Sequence, residues 1–123
     1  FSVFLPAISV GLLSTAVLNL NNMRDRLSDA KSGKNTLVVK MGGEKAKKYH
    51  SALILIAFFT AVEFIFYTEK YILAISLIAF IPLFVHLQIV ARNKVPQQLD
   101  PELKKVALST FLFSILFLVG AVI

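Results

Sequence analysis

Cysteine is absent from this 123-residue chain, and charge is scarce: Asp, Glu, Lys and Arg together make 16% of the residues. The first absence excludes disulfides and thiolate metal sites and leaves the redox compartment open. The second excludes an ordinary soluble domain, in which about a quarter of residues are charged. Hydrophobic residues reach 57%, and a chain of that balance belongs in a bilayer. Acidic residues are rarer than basic ones, seven against thirteen, for a formal net charge of +6. Such an excess can mark a nucleic-acid binder, but these lysines and arginines sit in short gaps between apolar runs and cover no single face. Membrane topology accounts for them, and nucleic acid is not an expected partner. The chain has no internal repeat and no low-complexity stretch. No basic segment precedes the first apolar run, which argues against a signal peptide. The chain opens at Phe1 already inside that run and closes at Ile123 without a polar tail. The expectation is therefore a piece of a larger membrane protein.

What is present is four apolar runs, over residues 1–20, 51–67, 71–91 and 106–123. Twenty residues of helix cover about 30 Å, the hydrocarbon thickness. The predicted class is all-α and transmembrane, a single membrane domain of four crossings. Pro6, Gly11, Ser9, Ser14 and Thr15 in the first run favour close helix packing, with a kink expected at Pro6. The second run is rich in phenylalanine and carries Glu63, one turn from Tyr67, from where it is expected to snorkel toward Lys70. Residues 68–70 suffice only for a tight turn, so the second and third runs form an antiparallel hairpin with Tyr67 and Tyr71 as interfacial anchors. The third run carries His86 and Gln88, which suit either a cavity wall or interhelical hydrogen bonds. Asp100 before Pro101 reads as an N-cap and first-turn proline opening the last helix.

Three polar gaps separate the runs. Residues 21–48 hold eight basic residues against three acidic ones, residues 92–105 hold four basic residues, and the turn at 68–70 holds one. This asymmetry predicts a multi-pass protein of the cell membrane with the two basic gaps on the cytoplasmic side and the turn outside.

The first gap opens with a charged island, Asn21-Asn22-Met23-Arg24-Asp25-Arg26-Leu27-Ser28-Asp29, followed by Lys31-Ser32-Gly33-Lys34-Asn35-Thr36. If helical, Asn22, Asp25 and Asp29 share one face at the end of a membrane span, and two carboxylates one turn apart can share a hard divalent cation. Lys34 directly after Gly33 predicts a turn whose backbone amides and ammonium approach one phosphate. A magnesium-bound phosphate suits that combination. A P-loop is excluded, because its first glycine falls at Ser28 and its Ser/Thr at Asn35. The calcium-loop pattern fails for lack of alternating oxygen ligands. The plain alternative is a solvated loop with some acidic residues among basic ones, and Arg24 and Arg26 as topology determinants only. The segment Thr36-Leu37-Val38-Val39 is expected to be a short β-prone patch, and Gly42-Gly43 a break before the next helix, with Glu44 in its first turn.

The island resembles the second aspartate-rich motif of the UbiA superfamily of intramembrane aromatic prenyltransferases, written N-N-x-R-D-x-x-x-D-x-x-x-G-K-x-T-L in the branch that acts on 1,4-dihydroxy-2-naphthoate. Asn21, Asn22, Arg24, Asp25, Asp29, Gly33, Lys34, Thr36 and Leu37 occupy those positions in register. Arg26 stands where the family often has an aliphatic residue. The resemblance implies the last four helices of a nine-helix prenyltransferase bundle around a lipid-open cavity, and a first motif, N-D-x-x-D, on helices that this chain does not contain. It further implies Mg2+ on Asp25 and Asp29, and a polyprenyl diphosphate held by Arg24, Lys34 and Asn22. The implied aromatic acceptor is 1,4-dihydroxy-2-naphthoate, prenylated with loss of its carboxylate as carbon dioxide. A related acceptor, 4-hydroxybenzoate or haem, is the nearest alternative. Half of a cation transporter is the alternative from another class; it is disfavoured because transporters place their carboxylates near the midplane of the membrane and these lie at a span's end.

Overall fold

The computed structural model describes residues 3–123, and among these there are helices and turns but no strand. The first helix, α1, runs from Phe4 to Arg24. The hydroxyls of Ser14 and Thr15 each donate to a carbonyl one turn back, at 2.8 Å, which satisfies them without water. Pro6, where a kink was expected, falls in the first turn, so its missing N–H removes no intrahelical bond. Helix α1 continues through the asparagines that the sequence placed at the water boundary, and the chain resumes after Asp25 as the short α2, Arg26–Lys31.

The β-prone patch is not extended. Thr36 has extended backbone and accepts a hydrogen bond from the Val39 amide at 3.2 Å, so it caps a five-residue helix, α3, Leu37–Met41. A capping hydroxyl and burial of Val38 against the bundle outweigh the strand preference of two valines. Gly42, at φ 83°, ends α3 and begins α4, Gly43–Thr68. This helix starts within the basic gap, so Glu44 to Lys48 form its first turns. The hairpin turn follows, with Glu69 in the left-handed region at φ 57°.

The third crossing is not uniform. It begins as a nine-residue 3₁₀ segment, Tyr71–Ala79, and becomes α-helical only in α5, Phe80–Arg92. Pro82 supplies no amide for the carbonyl of Ile78, and Ser76 donates to the Leu73 carbonyl at 2.7 Å, so both residues favour the tighter coil before them. A Cβ on Gly120 would lie 3.0 Å from Leu73 Cδ2 and 3.2 Å from Leu73 Cα. Glycine therefore lets the last helix, α6, Asp100–Val122, close on the 3₁₀ segment. A 3₁₀ turn, Pro96–Leu99, leads into α6. Asp100, expected as the N-cap, is the first residue inside the helix, with Leu99 at the cap; its carboxylate is taken by Arg24 of α1 at 2.8 Å.

The four long helices each have the length and hydropathy to cross a membrane, and a third or less of each apolar window is buried within the chain. The remaining apolar surface, including Phe4, Phe59, Ile81, Phe111 and Leu118, faces outward, as in lipid. The core runs from Leu13 and Leu20 on α1 through Ile54 on α4 to Phe80, Leu83 and Phe113. Edge-to-face contacts of Phe80 with Phe58 at 5.3 Å and with Phe113 at 5.4 Å join three crossings. Glu63 is exposed and forms no ion pair with Lys70, contrary to expectation; the turn at Glu69 carries Lys70 away.

One polar network crosses this core. His50 Nε2 of α4 lies 2.8 Å from His86 Nε2 of α5, and His86 Nδ1 lies 2.7 Å from Glu102 Oε2 of α6. The other Glu102 oxygen accepts from Lys105 at 2.6 Å. Both imidazoles are fully buried. A carboxylate that accepts from His86 Nδ1–H leaves a lone pair at Nε2 of a neutral ring, so His50 donates Nε2–H. His86 is thus an interhelical link, and Gln88, its neighbour in the sequence reading, is exposed on the other side of α5.

Two measurements check this fold. Single cysteines at Lys34 and Lys104 are expected to react with impermeant reagent from one side of the membrane and a cysteine at Lys70 from the other; labelling of 34 and 70 from the same side would remove the four-crossing arrangement. His50→Leu and His86→Leu are each expected to destabilise the protein by roughly 1–3 kcal/mol, with the double variant costing less than the sum because the two rings share one bond. Strict additivity in thermal melts would show that the rings are not coupled.

Candidate active site

The site is built where α1 leaves the core. Asp25 breaks the regular helix but keeps the ladder: its amide donates to Asn21 O at 3.1 Å, and its carbonyl accepts from the Asp29 amide at 2.9 Å. Continuity of these bonds keeps Asp29 one turn beyond Asp25, as the helical reading required.

Arg24 is engaged by three acceptor residues. Its Nε and Nη2 grip both oxygens of Asp25 at 2.8 and 3.1 Å, Nη1 reaches Asp100 Oδ1 at 2.8 Å, and Nη2 also donates to Asn21 Oδ1 at 2.8 Å. A planar guanidinium can serve these acceptors together, whereas a lysine could not. This hydrogen bonding holds the Asp25 carboxyl below the usual carboxylate range, against the opposing effect of desolvation. The sequence named Asn21 only as a motif position and Asp100 only as a helix cap, and gave neither a role in the site. Asp100 is 76 positions away and reads as a helix cap, so no local signal connects it to Arg24.

Asp29 is in a different state. Its side chain is mostly buried, at 13% exposure, and Oδ2 has no hydrogen-bond partner. Lys34 Nζ stands 4.0 Å from Oδ1, a loose approach. What brings Lys34 back is the turn: Gly33 at φ 77° lets its own amide donate to Ala30 O at 3.3 Å and the Lys34 amide to Asp29 O at 2.9 Å, a Schellman closure of α2. The expected use of these amides on a phosphate is therefore corrected. They are consumed by the helix end, and only the Lys34 ammonium, on a 64% exposed side chain, is free to meet an anion. Asn22 is half-buried and its side-chain amide has no hydrogen bond among the described residues.

The structure thus gathers Asn21, Arg24, Asp25 and Asp100 into one charged knot, and Asp29 with Lys34 into a second. Among the described residues no three His, Asp or Glu side chains form a cluster able to hold a metal by themselves. Two carboxylates suit magnesium when phosphate oxygens and water complete its shell, and a buried carboxylate oxygen without a donor is the kind of atom that a cation satisfies. The residues present fit that ion.

Comparison with known proteins gives the family. The profile of the UbiA prenyltransferase family matches residues 1–115. A 1,4-dihydroxy-2-naphthoate octaprenyltransferase of Haemophilus influenzae is 39% identical over 127 residues, covering 98% of this chain and 40% of that protein. The enzyme of the same name from Escherichia coli is 35% identical over 120 residues, covering 97% of this chain and 39% of that protein. One from Mycobacterium leprae is 41% identical over 49 residues, 40% of this chain and 17% of that protein. The chain therefore spans about 40% of the length of the first two. No solved structure matches it. With the aspartate motif at a helix end, four membrane-spanning helices and a family match over nearly its whole length, the chain belongs to the UbiA prenyltransferase family.

Proposed function

We propose that this chain contributes one of two carboxylate motifs to a membrane enzyme that transfers a polyprenyl group from its diphosphate to 1,4-dihydroxy-2-naphthoate, releasing carbon dioxide and giving demethylmenaquinone. The observation that carries the reading is Asp29: a mostly buried carboxylate with an unpartnered oxygen, one turn from an ionised Asp25 and facing a free ammonium. The names of the relatives support the acceptor and the class of donor.

Asp25 and Asp29 would hold magnesium, which would supply positive charge to offset that of the diphosphate leaving group. Arg24 keeps Asp25 ionised and oriented. Asn22, one helical turn before Asp25, and Lys34, 4.0 Å from Asp29, would offer an amide and an ammonium to diphosphate oxygens and favour the departing anion. The prenyl tail lies along the apolar helices, and the electron-rich ring attacks the allylic cation away from water. The reading puts the protein in the cell membrane with the motif loop on the cytoplasmic side, and the excess of basic residues in the two gaps supports it.

In the full-length protein, Asp25→Asn and Asp29→Asn are each expected to lower turnover at least about 100-fold while the melting temperature stays near that of the parent, because charge is removed without a change of shape. Near-normal turnover in both would return the pair to the status of a solvated loop. Arg24→Gln releases the Asp25 carboxyl toward the ordinary range. The stabilisation that Arg24 gives it is present above that range and lost as pH falls through the lowered value, so the acid limb of Mg2+ affinity, followed calorimetrically, is expected at higher pH in the variant. An unchanged limb would show that Arg24 does not set this ionisation. The isolated 123-residue chain is expected to bind prenyl diphosphate weakly with Mg2+ and to transfer nothing, since it offers two carboxylates for a six-coordinate ion and no group on the opposite side. Robust turnover by the chain alone, as a homodimer supplying two motifs, would overturn that.

A further inference from the structure

A second charged place lies at the same end of the bundle and does not include the aspartates. It is a cleft of about 510 Å³ between the ends of α1, α4 and α5, lined by Arg26, Lys47, Arg92 and Lys94, with Glu44 as its one acid. Glu44 pairs with Lys47 at 3.2 Å, but its side chain is 86% exposed and so points largely to water. Among the described residues, Arg26, Arg92 and Lys94 have no carboxylate within ion-pair distance. Lys47 is held in place by donating to the Asn93 carbonyl at 2.6 Å, which fixes its ammonium at the cleft instead of leaving it to sweep through solvent.

The position of Arg26 is the second observation. Its guanidinium lies over Gly43, so closely that a Cβ there would meet Nη2 at 3.2 Å and Cζ at 3.3 Å. Gly43 is the first residue of the 26-residue α4, whose N-terminus has no side-chain cap. The amide end of a helix carries partial positive charge and prefers an acid or an anion. Glu44 stands in that first turn with its side chain largely in water, while the Arg26 guanidinium lies against the first residue itself, beside three more cations. Repulsion of this kind is relieved by an anion seated between the guanidinium, the first amides of α4 and the lysines, which is the donor set that phosphate takes. Met23, Leu99 and Pro96 supply an apolar wall beneath the charges.

We propose that this cleft is a phosphate-recognition site, separate from the Asp25 and Asp29 face, which takes a phosphate-bearing group at the membrane surface: the headgroup of an anionic phospholipid or a free phosphate or diphosphate. Basic pockets between helix ends at a membrane surface recognise headgroups by this chemistry.

The test uses the full-length protein in nanodiscs and the double variant Arg92→Gln/Lys94→Gln, whose side chains are exposed and make no ion pair, with Arg92→Lys/Lys94→Arg as the charge-preserving control. One arm measures retention of phosphatidylglycerol over phosphatidylcholine by native mass spectrometry. A second titrates inorganic phosphate and diphosphate, without Mg2+, into protein held in phosphatidylcholine alone and follows thermal stability. The parent and the control are expected to show a preference in one arm, and the Gln variant to lose about tenfold in it. A preference in the first arm identifies a lipid headgroup as the source, and one in the second identifies free phosphate. Mg2+-dependent binding of prenyl diphosphate, measured in the same samples, is expected to be equal in parent and variant, so failure of the cleft and failure of the aspartate site are read separately. No preference in either arm, or an equal preference in parent and Gln variant, would overturn the proposal.

Discussion

Every long helix in this chain must satisfy its polar groups without water, and the structure follows from how that is done. Backbone groups are closed within helices, and serine and threonine hydroxyls fold back onto carbonyls one turn earlier. Ser9 of α1 and Thr60 of α4 meet at 2.7 Å, and Asn19 of α1 donates to the Ala46 carbonyl at 3.3 Å. The two imidazoles and Glu102 satisfy one another across three helices. Against this background two buried side-chain polar atoms among the described residues stand out as unpartnered, His50 Nδ1 and Asp29 Oδ2. The first is the lone-pair end of a chain of donors that has run out. The second belongs to a carboxylate whose other oxygen stands 4.0 Å from the motif lysine.

The polar network and the charged site belong to the same end of the bundle, and this has a mechanical consequence. His50, His86 and Glu102 tie α4, α5 and α6 together close to where those helices emerge, while the Arg24–Asp100 pair ties α1 to α6. Asp25 is thereby fixed to two helices through one guanidinium. Such ties limit how far the Asp25 carboxylate can move relative to the bundle. The opposite end is held differently, by apolar contacts among Leu5, Phe64, Ile65 and Leu73 and by the close approach at Gly120.

Much of this was legible from residue order alone. Four apolar runs of membrane length, the hairpin at residues 68–70, the exposure of a basic gap and the helical relation of Asp25 to Asp29 follow from local composition and period. Other features were misread where a local rule met a tertiary one. Thr36 to Val39 has the composition of a strand, but a threonine at a helix start and a buried place for Val38 decide for α3. The Gly33 turn was expected to present amides to phosphate, yet the Schellman closure of α2 uses them. Asp100 has the signature of a cap and is instead the distant partner of Arg24.

What the sequence determined by itself is the class of environment and the position of the charge: apolar length sets the crossings, and a spaced pair of carboxylates with a glycine-lysine turn stands at the end of the first one. What only tertiary structure decided is which charges are engaged and which are free. Arg24 and Arg26 are two residues apart and look alike in the sequence, but about 200° of helical turn separates them. Arg24 is directed to Asp25 and Asp100, whereas Arg26 is directed over the N-terminus of α4. Their different surroundings come from helices that are remote in the chain, and no local pattern encodes them.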